Sequence, residues 1–575
     1  MRNRKTLNGL ETTVITGTYG ALISICIKDN SVNKKNFLGF EILREDLTEK
    51  ERYPLKGFKY FPQSAKKLAE GQLFDTDKHP VQSFYWEDFT VKPEHDYIYS
   101  VIPIYGKPLN LEYGKGCAVP ISSEKAYGAK HSVFFNRGVA GSIAYARRFE
   151  NRRPDEMSEK ERKEALTWLS RGLEEALIGF IEKAITNKWG IRAAFYEFTY
   201  LPVLEALQRA VQKGCDVQIV YDSRKEAEEN DESIKDAGLK RSIKKGQKTI
   251  KILFRRTKDP QVPSHNKFMV LMDGTGPAEV WTGSTNITDK GIFGHSNVGH
   301  IVRDRSVAKQ YFKYWESLHL DPEEADLENS VQEIQKDILK PDDFSADVTV
   351  FFSPRTKKDI LKTYAAFIDG ADDLVCGIFP FSFSKDMKAA ISQKKDFLRY
   401  ILVDKINNAE GIIKKDGNTV IVNGAFFDVQ IFDWLTEINA GILLNKTPNA
   451  SIGTNYVHNK ILLIDPLSKA PVIIVGSANF SDASVASNDE NTMVIKAGPD
   501  LRRISDIYFT EFYRMFHHFF VRKATKEINK DKDTSPQAKN NPLHLCTDNS
   551  WVAQFRGDKV KVKMQDILTM MPLDY

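Results

Sequence analysis

The chain has 575 residues, of which 41% are hydrophobic and 28% charged, and its formal net charge is +5. These values are typical of a folded globular protein, and a chain of this length is expected to form several domains. No apolar run reaches the ~20 residues of a membrane-spanning helix, and the basic N-terminus leads into no signal-like segment. The five scattered cysteines predict neither a disulfide framework nor a metal site, so we expect a cytoplasmic protein.

Residues 1–125 are predicted to form a small all-β sandwich. Short segments of alternating apolar residues, which place Tyr97 and Tyr99 on one face, are separated by Pro and Gly. The pattern of Trp86, then Pro93, then the two tyrosines resembles a fibronectin type III module. Such a module either binds a protein partner or braces the fold, and the sequence does not decide between these roles.

From residue 126 onwards, strands alternate with helices, which predicts a largely parallel sheet covered by helices. The same order then recurs: "VTVFFSPR" echoes "SVFFNRG", and "YILVD", ending at Asp404, matches "QIVYD", ending at Asp222. A repeated unit of this length is a whole domain, so the chain contains a tandem domain pair and not a solenoid. We predict two α/β halves over residues 126–335 and 336–540, and a C-terminal tail over 541–575.

Each half contains His-Asn-Lys running into an apolar segment, as "SHNKFMVLMD" and "VHNKILLID". In an extended strand residues i and i+2 point to the same face. His265 therefore projects together with Lys267, and His458 with Lys460. A second strand follows in each half and ends in Gly-Ser-x-Asn, which adds Ser284, Asn286, Ser477 and Asn479.

This combination of side chains suits phosphodiester cleavage with a covalent step. The lysines and asparagines hold the non-bridging oxygens and take up developing charge. One neutral imidazole attacks phosphorus to give a phosphohistidine, while the other, protonated, donates to the leaving oxygen and later activates water. No cluster of Asp, Glu and His has metal-ligand spacing, so we expect no cofactor and no metal.

The two halves differ at one matching position in the segment that comes after Gly-Ser-x-Asn. The second half has Glu490 in "SNDENTMVI", where the first half has Asn297 in "HSNVGHIV". A carboxylate bonded to the far ring nitrogen favours the imidazolium. We therefore expect Glu490 to contact His458 and make it the general acid, leaving His265 as the nucleophile. The reverse assignment stays open.

The paired motif resembles the signature of the phospholipase D superfamily: His-x-Lys, four residues, Asp, then Gly-Ser-x-Asn. The second copy matches in full, whereas the first has Met272 in place of Asp and Asp273 one residue late. The resemblance covers residues 130–525. It implies two α/β halves in one pseudo-twofold catalytic unit, a metal-independent mechanism, and a largely structural role for the signature Asp. It also implies catalytic pairs and supporting donors at His265, Lys267, His458, Lys460, Asn286 and Asn479.

A basic strip suggests which phosphodiester is cleaved. Residues 240–258 hold nine Lys or Arg and no acid, and the strip ends just before His265. We expect it to lie near the site and to attract a polyanion, although an anionic membrane would also be attracted. A solvated loop balanced by the acidic residues 224–236 is the alternative. The residues predicted to bind substrate are Lys240, Arg241, Lys244, Lys245, Ser284 and Ser477.

The sequence is therefore compatible with three functions. The first is a hydrolase of DNA or RNA that uses a phosphohistidine, the second a phospholipase D acting on phospholipid head groups, and the third a degenerate binding scaffold. Arg137 and Arg355, at the ends of matching strands, are interpreted as arginines paired with acids rather than phosphate ligands. His295 and His300, on either side of Asn297, are interpreted as incidental.

Overall fold

The N-terminal region is all β, as predicted. The computed structural model describes residues 1–34, 36–64, 72–138, 145, 148–150, 152, 154–424, 457–531, 541 and 543–573. The N-terminal strands are Arg2–Leu7 (β1), Leu10–Thr16 (β2), Ala21–Ile27 (β3), Phe37–Asp46 (β4), Glu51–Pro54 (β5), Lys56–Gly57 (β6), Phe74–Asp75 (β7), Tyr85–Asp88 (β8), Asp96–Lys107 (β9), Asn110–Tyr113 (β10) and Cys117–Ser122 (β11), with a short helix at Asp29–Val32 (α1).

The long strands of this region form two sheets. One has the order β1-β2-β3-β8 and the other β10-β9-β4-β5, with β11 also pairing with β9. Tyr97, Tyr99 and Val101 are buried on one face of β9, as their alternation predicts. The fibronectin type III resemblance stays a prediction.

The first α/β half is built on a seven-stranded sheet. Its elements are His131–Phe135 (β12), Glu159–Ser170 (α2), Leu173–Asn187 (α3), Gly190–Phe195 (β13), Leu201–Gln212 (α4), Val217–Asp222 (β14), Ala227–Asp236 (α5), Ser242–Lys245 (β15), Lys248–Lys251 (β16), Leu253–Arg256 (β17), Lys267–Asp273 (β18), Gly276–Gly283 (β19), Val298–Val302 (β20), Arg305–Leu318 (α6) and Glu324–Ile334 (α7). The sheet order is β12-β20-β19-β18-β13-β14-β17, and β15 and β16 form a separate hairpin.

The second half repeats this sheet strand for strand. Its elements are Val348–Ser353 (β21), Asp359–Asp369 (α8), Leu374–Phe379 (β22), Lys385–Ile391 (α9), Leu398–Val403 (β23), Thr419–Asn423 (β24), Ile461–Ile464 (β25), Val472–Gly476 (β26), Asp482–Ala486 (α10), Glu490–Ile495 (β27) and Leu501–Asp531 (α11). The order is β21-β27-β26-β25-β22-β23-β24. In both sheets the last three strands are parallel and the others antiparallel, so the sheets are mixed.

One hydrophobic core joins the halves. The inner faces of both sheets share it with α6 and α11, and Ile15 and Leu22 of the sandwich reach into it. Each outer face has a separate core under its own helices. Packing of this kind brings the two His-Asn-Lys strands to one junction, as the resemblance implies.

The C-terminal residues form structure that their sequence did not predict. Two helices, Ser550–Gly557 (α12) and Lys559–Met570 (α13), lie in the region expected to be a tail. Trp551, Val552 and Phe555 of α12 join the core of the sandwich. Their spacing is that of one helical face, but the segment is too short for that pattern to stand out. Within the described ranges, no helix is long and apolar enough to cross a membrane.

Candidate active site

The two His-Asn-Lys segments enter equivalent strands with equivalent geometry. Lys267 Nζ donates to the backbone oxygen of His265 at 2.7 Å, and Lys460 Nζ donates to that of His458 at the same distance. The histidines are 8% and 6% exposed, and both lysines are buried. Each half therefore presents one imidazole beside one ammonium group, as the i, i+2 spacing predicts.

The middle asparagines point away from these pairs and fasten the halves together. Asn266 Oδ1 accepts from Asn491 Nδ2 at 3.0 Å, and Asn459 Oδ1 accepts from Ser284 Oγ at 3.1 Å. Ser296 adds a third link, because its Oγ accepts from the His458 backbone N–H at 3.1 Å. Since each bond crosses between the halves, the two motifs form one site.

The expected contact between Glu490 and His458 is wrong. Glu490 Oε2 instead lies 3.0 Å from Nδ1 of His265, in the other half. Asn297 Oδ1 makes the reciprocal contact, 2.8 Å from Nδ1 of His458. Asn297, directly before β20, and Glu490, the first residue of β27, therefore each contact the histidine of the other half.

Burial governs the protonation of these groups. It lowers the pKa of His265 to about 4, although Glu490 opposes the shift. Burial together with Lys460 and His295 holds the pKa of His458 well below its usual value. Burial opposes the ionisation of Glu490, but His265 and Lys267 outweigh it and lower its pKa. Both imidazoles are therefore neutral at neutral pH in the unliganded site.

The lysines are perturbed in the same way. Burial lowers the pKa of Lys267 to about 8, and burial together with Lys267 lowers that of Lys460 well below its usual value. Two buried ammonium groups that repel each other gain from an anion placed between them. The site is therefore suited to hold a negatively charged ligand.

The Gly-Ser-x-Asn residues divide into two kinds. Ser284 Oγ donates to Asn297 Oδ1 at 2.9 Å, and Ser477 Oγ accepts from the Asn491 backbone N–H at 3.1 Å. Both hydroxyls are fully buried, so they position neighbouring amides, and the expectation that they bind substrate is not supported. By contrast, within the described part of the chain, Oδ1 of Asn286 and of Asn479 has no hydrogen-bond partner.

The comparison with protein families agrees with the geometry, because it also finds two related regions in the chain. A family model described as "Cardiolipin synthase, PLD-like domain" matches residues 178–319 and 403–516. Each match contains one of the two His-Asn-Lys segments. The chain belongs to the phospholipase D superfamily. Members of this superfamily are phosphodiesterases.

Several solved structures resemble this superfamily member at low identity. A phosphatidylserine synthase from Haemophilus influenzae is 14% identical, with 70% of this chain and 94% of that chain covered and a TM-score of 0.40. A polyphosphate kinase from Porphyromonas gingivalis is 12% identical, with a TM-score of 0.36, and the match covers 57% of this chain but only 46% of that one. Nuc from Salmonella typhimurium is 16% identical, with 30% and 93% covered and a TM-score of 0.18. No curated protein matched the chain.

The phospholipase D signature Asp has a structural contact in this protein. Asp465 accepts hydrogen bonds from the backbone N–H groups of residues 372–374, at 2.8–2.9 Å, where β22 begins. In the first half, Met272 instead pairs with Gly190 at the start of β13. Asp273, one residue later, forms a turn with Thr275 and contacts Arg305. The departure from the signature therefore lies outside the catalytic groups.

Two aspartates at matching positions of the repeat support the phospholipase D motifs. The sequence analysis found the match but assigned these aspartates no role. Asp222 Oδ1 accepts from the backbone N–H of Ser264, at 3.0 Å, and Asp404 Oδ1 from that of Val457, at 3.3 Å. Each carboxylate holds the residue directly before His265 or His458. The matching ends of "QIVYD" and "YILVD" were the available signal.

Two further residues near His265 had no sequence signal beyond their position after β13. The Tyr196 ring lies 4.9 Å from that of His265, and Lys267 Nζ lies 5.3 Å from the Tyr196 ring. Glu197 accepts from Asn286 Nδ2. Burial and the charge of Glu226 raise the pKa of Glu197, against the opposing effect of Lys267. On the other side, the His295 ring lies 5.6 Å from His458, so His295 borders the site.

The basic strip lies farther from the site than expected. Lys240, Arg241 and Lys244 are exposed, and Lys245 ends β15. The β15–β16 hairpin joins the sheet at the start of β17, which runs parallel to β14. Because Asp222, at the far end of β14, reaches Ser264, the site lies at the opposite end of these strands.

Acidic residues balance part of this strip. Asp231 pairs with Arg241 at 3.0 Å and also with Arg255. The buried Arg256 pairs with Asp321 and Asp489. Among the described residues, no group of three or more His, Cys, Asp and Glu side chains has an arrangement that would hold a metal ion.

Proposed function

We propose that the protein hydrolyses phosphodiesters through a covalent phosphohistidine on His265. The observation that carries this proposal is that two His-Lys pairs meet at one junction and only His265 has a carboxylate on Nδ1. In the first step Nε2 of His265 attacks phosphorus, the bond to the leaving oxygen breaks, and His458 gives that oxygen a proton. In the second step His458 removes a proton from water, the water oxygen attacks phosphorus, and the phosphorus–nitrogen bond breaks.

Glu490 supports the assignment of His265 for a reason opposite to the one expected from sequence. A phosphorylated imidazole that keeps its Nδ1 proton is cationic, and the adjacent carboxylate stabilises that charge. In the free site the same carboxylate keeps the proton on Nδ1, so that Nε2 has a lone pair for attack.

His458 is suited to proton transfer. Asn297 Nδ2 donates to the Gly291 backbone oxygen at 2.8 Å, which turns Asn297 Oδ1 towards His458 and leaves Nε2 of that ring facing the ligand. An anionic phosphodiester raises the pKa of His458 from its depressed value, because the negative charge favours the imidazolium. The Nζ groups of Lys267 and Lys460 and the Nδ2 groups of Asn286 and Asn479 then donate to the non-bridging oxygens.

We propose nucleic acid as the substrate and a cytoplasmic location. Exposed Lys240, Lys244, Lys248 and Lys251 on the β15–β16 hairpin and its flank favour a long polyanion. The five cysteines, all free, agree with a reducing compartment. Phospholipid is the second candidate, because a cationic hairpin is also attracted to anionic membranes. A role for the sandwich in binding a protein partner also remains a proposal.

One experiment separates these functions. Purified protein is incubated, with chelator present, with single- and double-stranded DNA, RNA, phosphatidylcholine vesicles and bis(4-nitrophenyl) phosphate. We expect chelator-resistant cleavage of nucleic acid that is lost in His265→Asn and kept in His319→Asn, a control outside the site. Cleavage of lipid alone contradicts the nucleic-acid proposal, loss with chelator contradicts the metal-independent mechanism, and inertness on every substrate favours a scaffold.

A further inference from the structure

Arg137 follows β12 at the edge of the sheet where the active site lies. The preceding residue, Asn136, accepts from the Asn297 backbone N–H at 2.9 Å and donates from Nδ2 to the His295 backbone oxygen at 2.7 Å. Asn297 in turn holds His458. Arg137 is therefore one residue away from the frame that positions the proposed general acid.

The guanidinium of Arg137 is held in place but forms no ion pair with a carboxylate of the described residues. It lies over the Trp168 ring at 4.0 Å, and its Nε donates to the Trp168 backbone oxygen at 2.8 Å. It is only partly buried. Among the residues that the structure describes, no carboxylate lies within ion-pair distance of it, so its two outer nitrogens are available to a ligand.

The surroundings of Arg137 make it more electropositive. Arg171 and Arg514 lie close by and share one acid, Glu511, at 2.6 and 2.9 Å. Burial, with the charges of Arg171 and Arg514, lowers the pKa of Arg137 to about 9. Three guanidinium groups around one carboxylate leave an excess of positive charge that an anion would relieve.

The matching arginine of the second half shows what a structural arginine looks like here. Arg355 is fully buried, and its Nη1 pairs with Asp337 at 2.7 Å. The sequence-based interpretation, an arginine paired with an acid, is therefore confirmed for Arg355, whereas Arg137 has no such pair among the described residues. Arg137 directly follows Asn136, which contacts Asn297 and His295 beside His458.

We propose that Arg137 binds a second phosphate of the same nucleic-acid strand, next to the phosphate that is cleaved and on the His458 side. This inference rests on the proposed function, and it adds a subsite that a substrate with one phosphate does not use. The planar guanidinium, held in one orientation by Trp168, offers two N–H groups to one phosphate. Arg171 and Arg514 strengthen the local field without leaving their bonds to Glu511.

The test compares Arg137→Gln and Arg137→Lys with Arg52→Gln, a control at an exposed position on the sandwich. Binding of a fluorescent single-stranded oligonucleotide is measured by anisotropy over a range of salt, in the His265→Asn background to prevent turnover. We expect Arg137→Gln to weaken binding about tenfold and to reduce the salt slope by about 1, as for loss of one phosphate contact. Arg137→Lys is expected to weaken binding less, and Arg52→Gln to leave it unchanged.

Cleavage by otherwise wild-type protein then separates a subsite from a general defect. We expect the kcat/KM for the oligonucleotide to fall about tenfold more than that for bis(4-nitrophenyl) phosphate, which has no second phosphate. Equal losses on both substrates, no loss on either, or a loss confined to phospholipid vesicles would overturn the subsite. If the wild-type protein cleaves nothing but Arg137 still controls oligonucleotide binding, the proposed hydrolysis fails and the subsite stands.

Discussion

The two α/β halves share a sheet order and a motif but differ in the side chains around it. Both place His, Lys and Asn at equivalent positions, which provides a nearly symmetric cradle for one phosphate. The groups behind the histidines are not symmetric, since Glu490 serves His265 and Asn297 serves His458. In the proposed mechanism the repeated residues hold the ligand, while Glu490 and Asn297, which differ between the halves, assign different roles to the two histidines.

The walls of the site differ in the same way. Directly after the His-Asn-Lys segment, Phe268 pairs with Ala194 in the first sheet, and Ile461 pairs with Ile378 in the second. By this register Glu197 corresponds to Phe381. One half therefore places a carboxyl beside its lysine, where the other has a partly exposed aromatic ring.

The largest expected effect comes from replacing Glu490 and Asn297, the residues that contact the two histidines. Glu490→Gln should lower kcat by roughly ten-thousandfold, since loss of the carboxylate behind the histidine costs about this much in the serine protease triad. Asn297→Asp should have a much smaller effect, because His458 keeps an acceptor on Nδ1. Single-turnover kinetics on bis(4-nitrophenyl) phosphate measure both, and equal losses would contradict the division of roles.

The free energy of unfolding should also depend on pH, because both histidines have lowered pKa values in the fold. The pKa of His265 is about 4 in the fold and about 6.5 in the unfolded chain, so the unfolded state takes up a proton first as pH falls. Full stability is present above pH 6.5, and His265 alone accounts for a loss of about 3 kcal/mol by pH 4.

Urea unfolding between pH 7 and 3 checks this expectation. His265→Asn should remove the part of the pH dependence that ends near pH 4. His458→Asn should also remove part of the pH dependence, because the pKa of His458 is held well below its usual value. Unchanged pH dependence in both variants would show that neither imidazole is buried in its neutral form.

A smaller effect separates the signature Asp from its displaced counterpart. Asp465→Asn weakens charge-assisted bonds to three backbone N–H groups at the start of β22, and we expect a loss of about 2 kcal/mol in the free energy of unfolding. Asp273→Asn should cost much less, because its ion-pair partner Arg305 is largely exposed. Chemical denaturation of both variants compares them, and equal costs would contradict the structural role of Asp465.

The smallest expected effect tests the difference between Glu197 in the first half and Phe381 in the second. Glu197→Gln removes negative charge beside Lys267 and should increase the affinity for inorganic phosphate about fivefold. Phe381→Glu should decrease that affinity. Calorimetric titration with phosphate measures both changes without turnover, and an unchanged affinity in Glu197→Gln would show that Glu197 does not influence the anion.

What the sequence predicted depended on short-range geometry. Strand periodicity is enough to place His265 with Lys267 and His458 with Lys460, and the duplicated order is enough to predict two α/β halves. The partner of each histidine is a contact across the junction, which no local pattern encodes, so Glu490 was assigned to the wrong ring. The basic hairpin was misplaced for a similar reason, because closeness in sequence to His265 does not show at which end of β17 it joins the sheet.

The central claim is that His265, and not His458, forms the bond to phosphorus. The direct measurement is mass spectrometry of peptides from His458→Asn protein, quenched during reaction with bis(4-nitrophenyl) phosphate. The account predicts a nitrophenyl-phosphoryl adduct on the peptide that contains His265, and none from His265→Asn protein. An adduct on His458 when His265 is replaced, or the same rate of cleavage without either histidine, would contradict it.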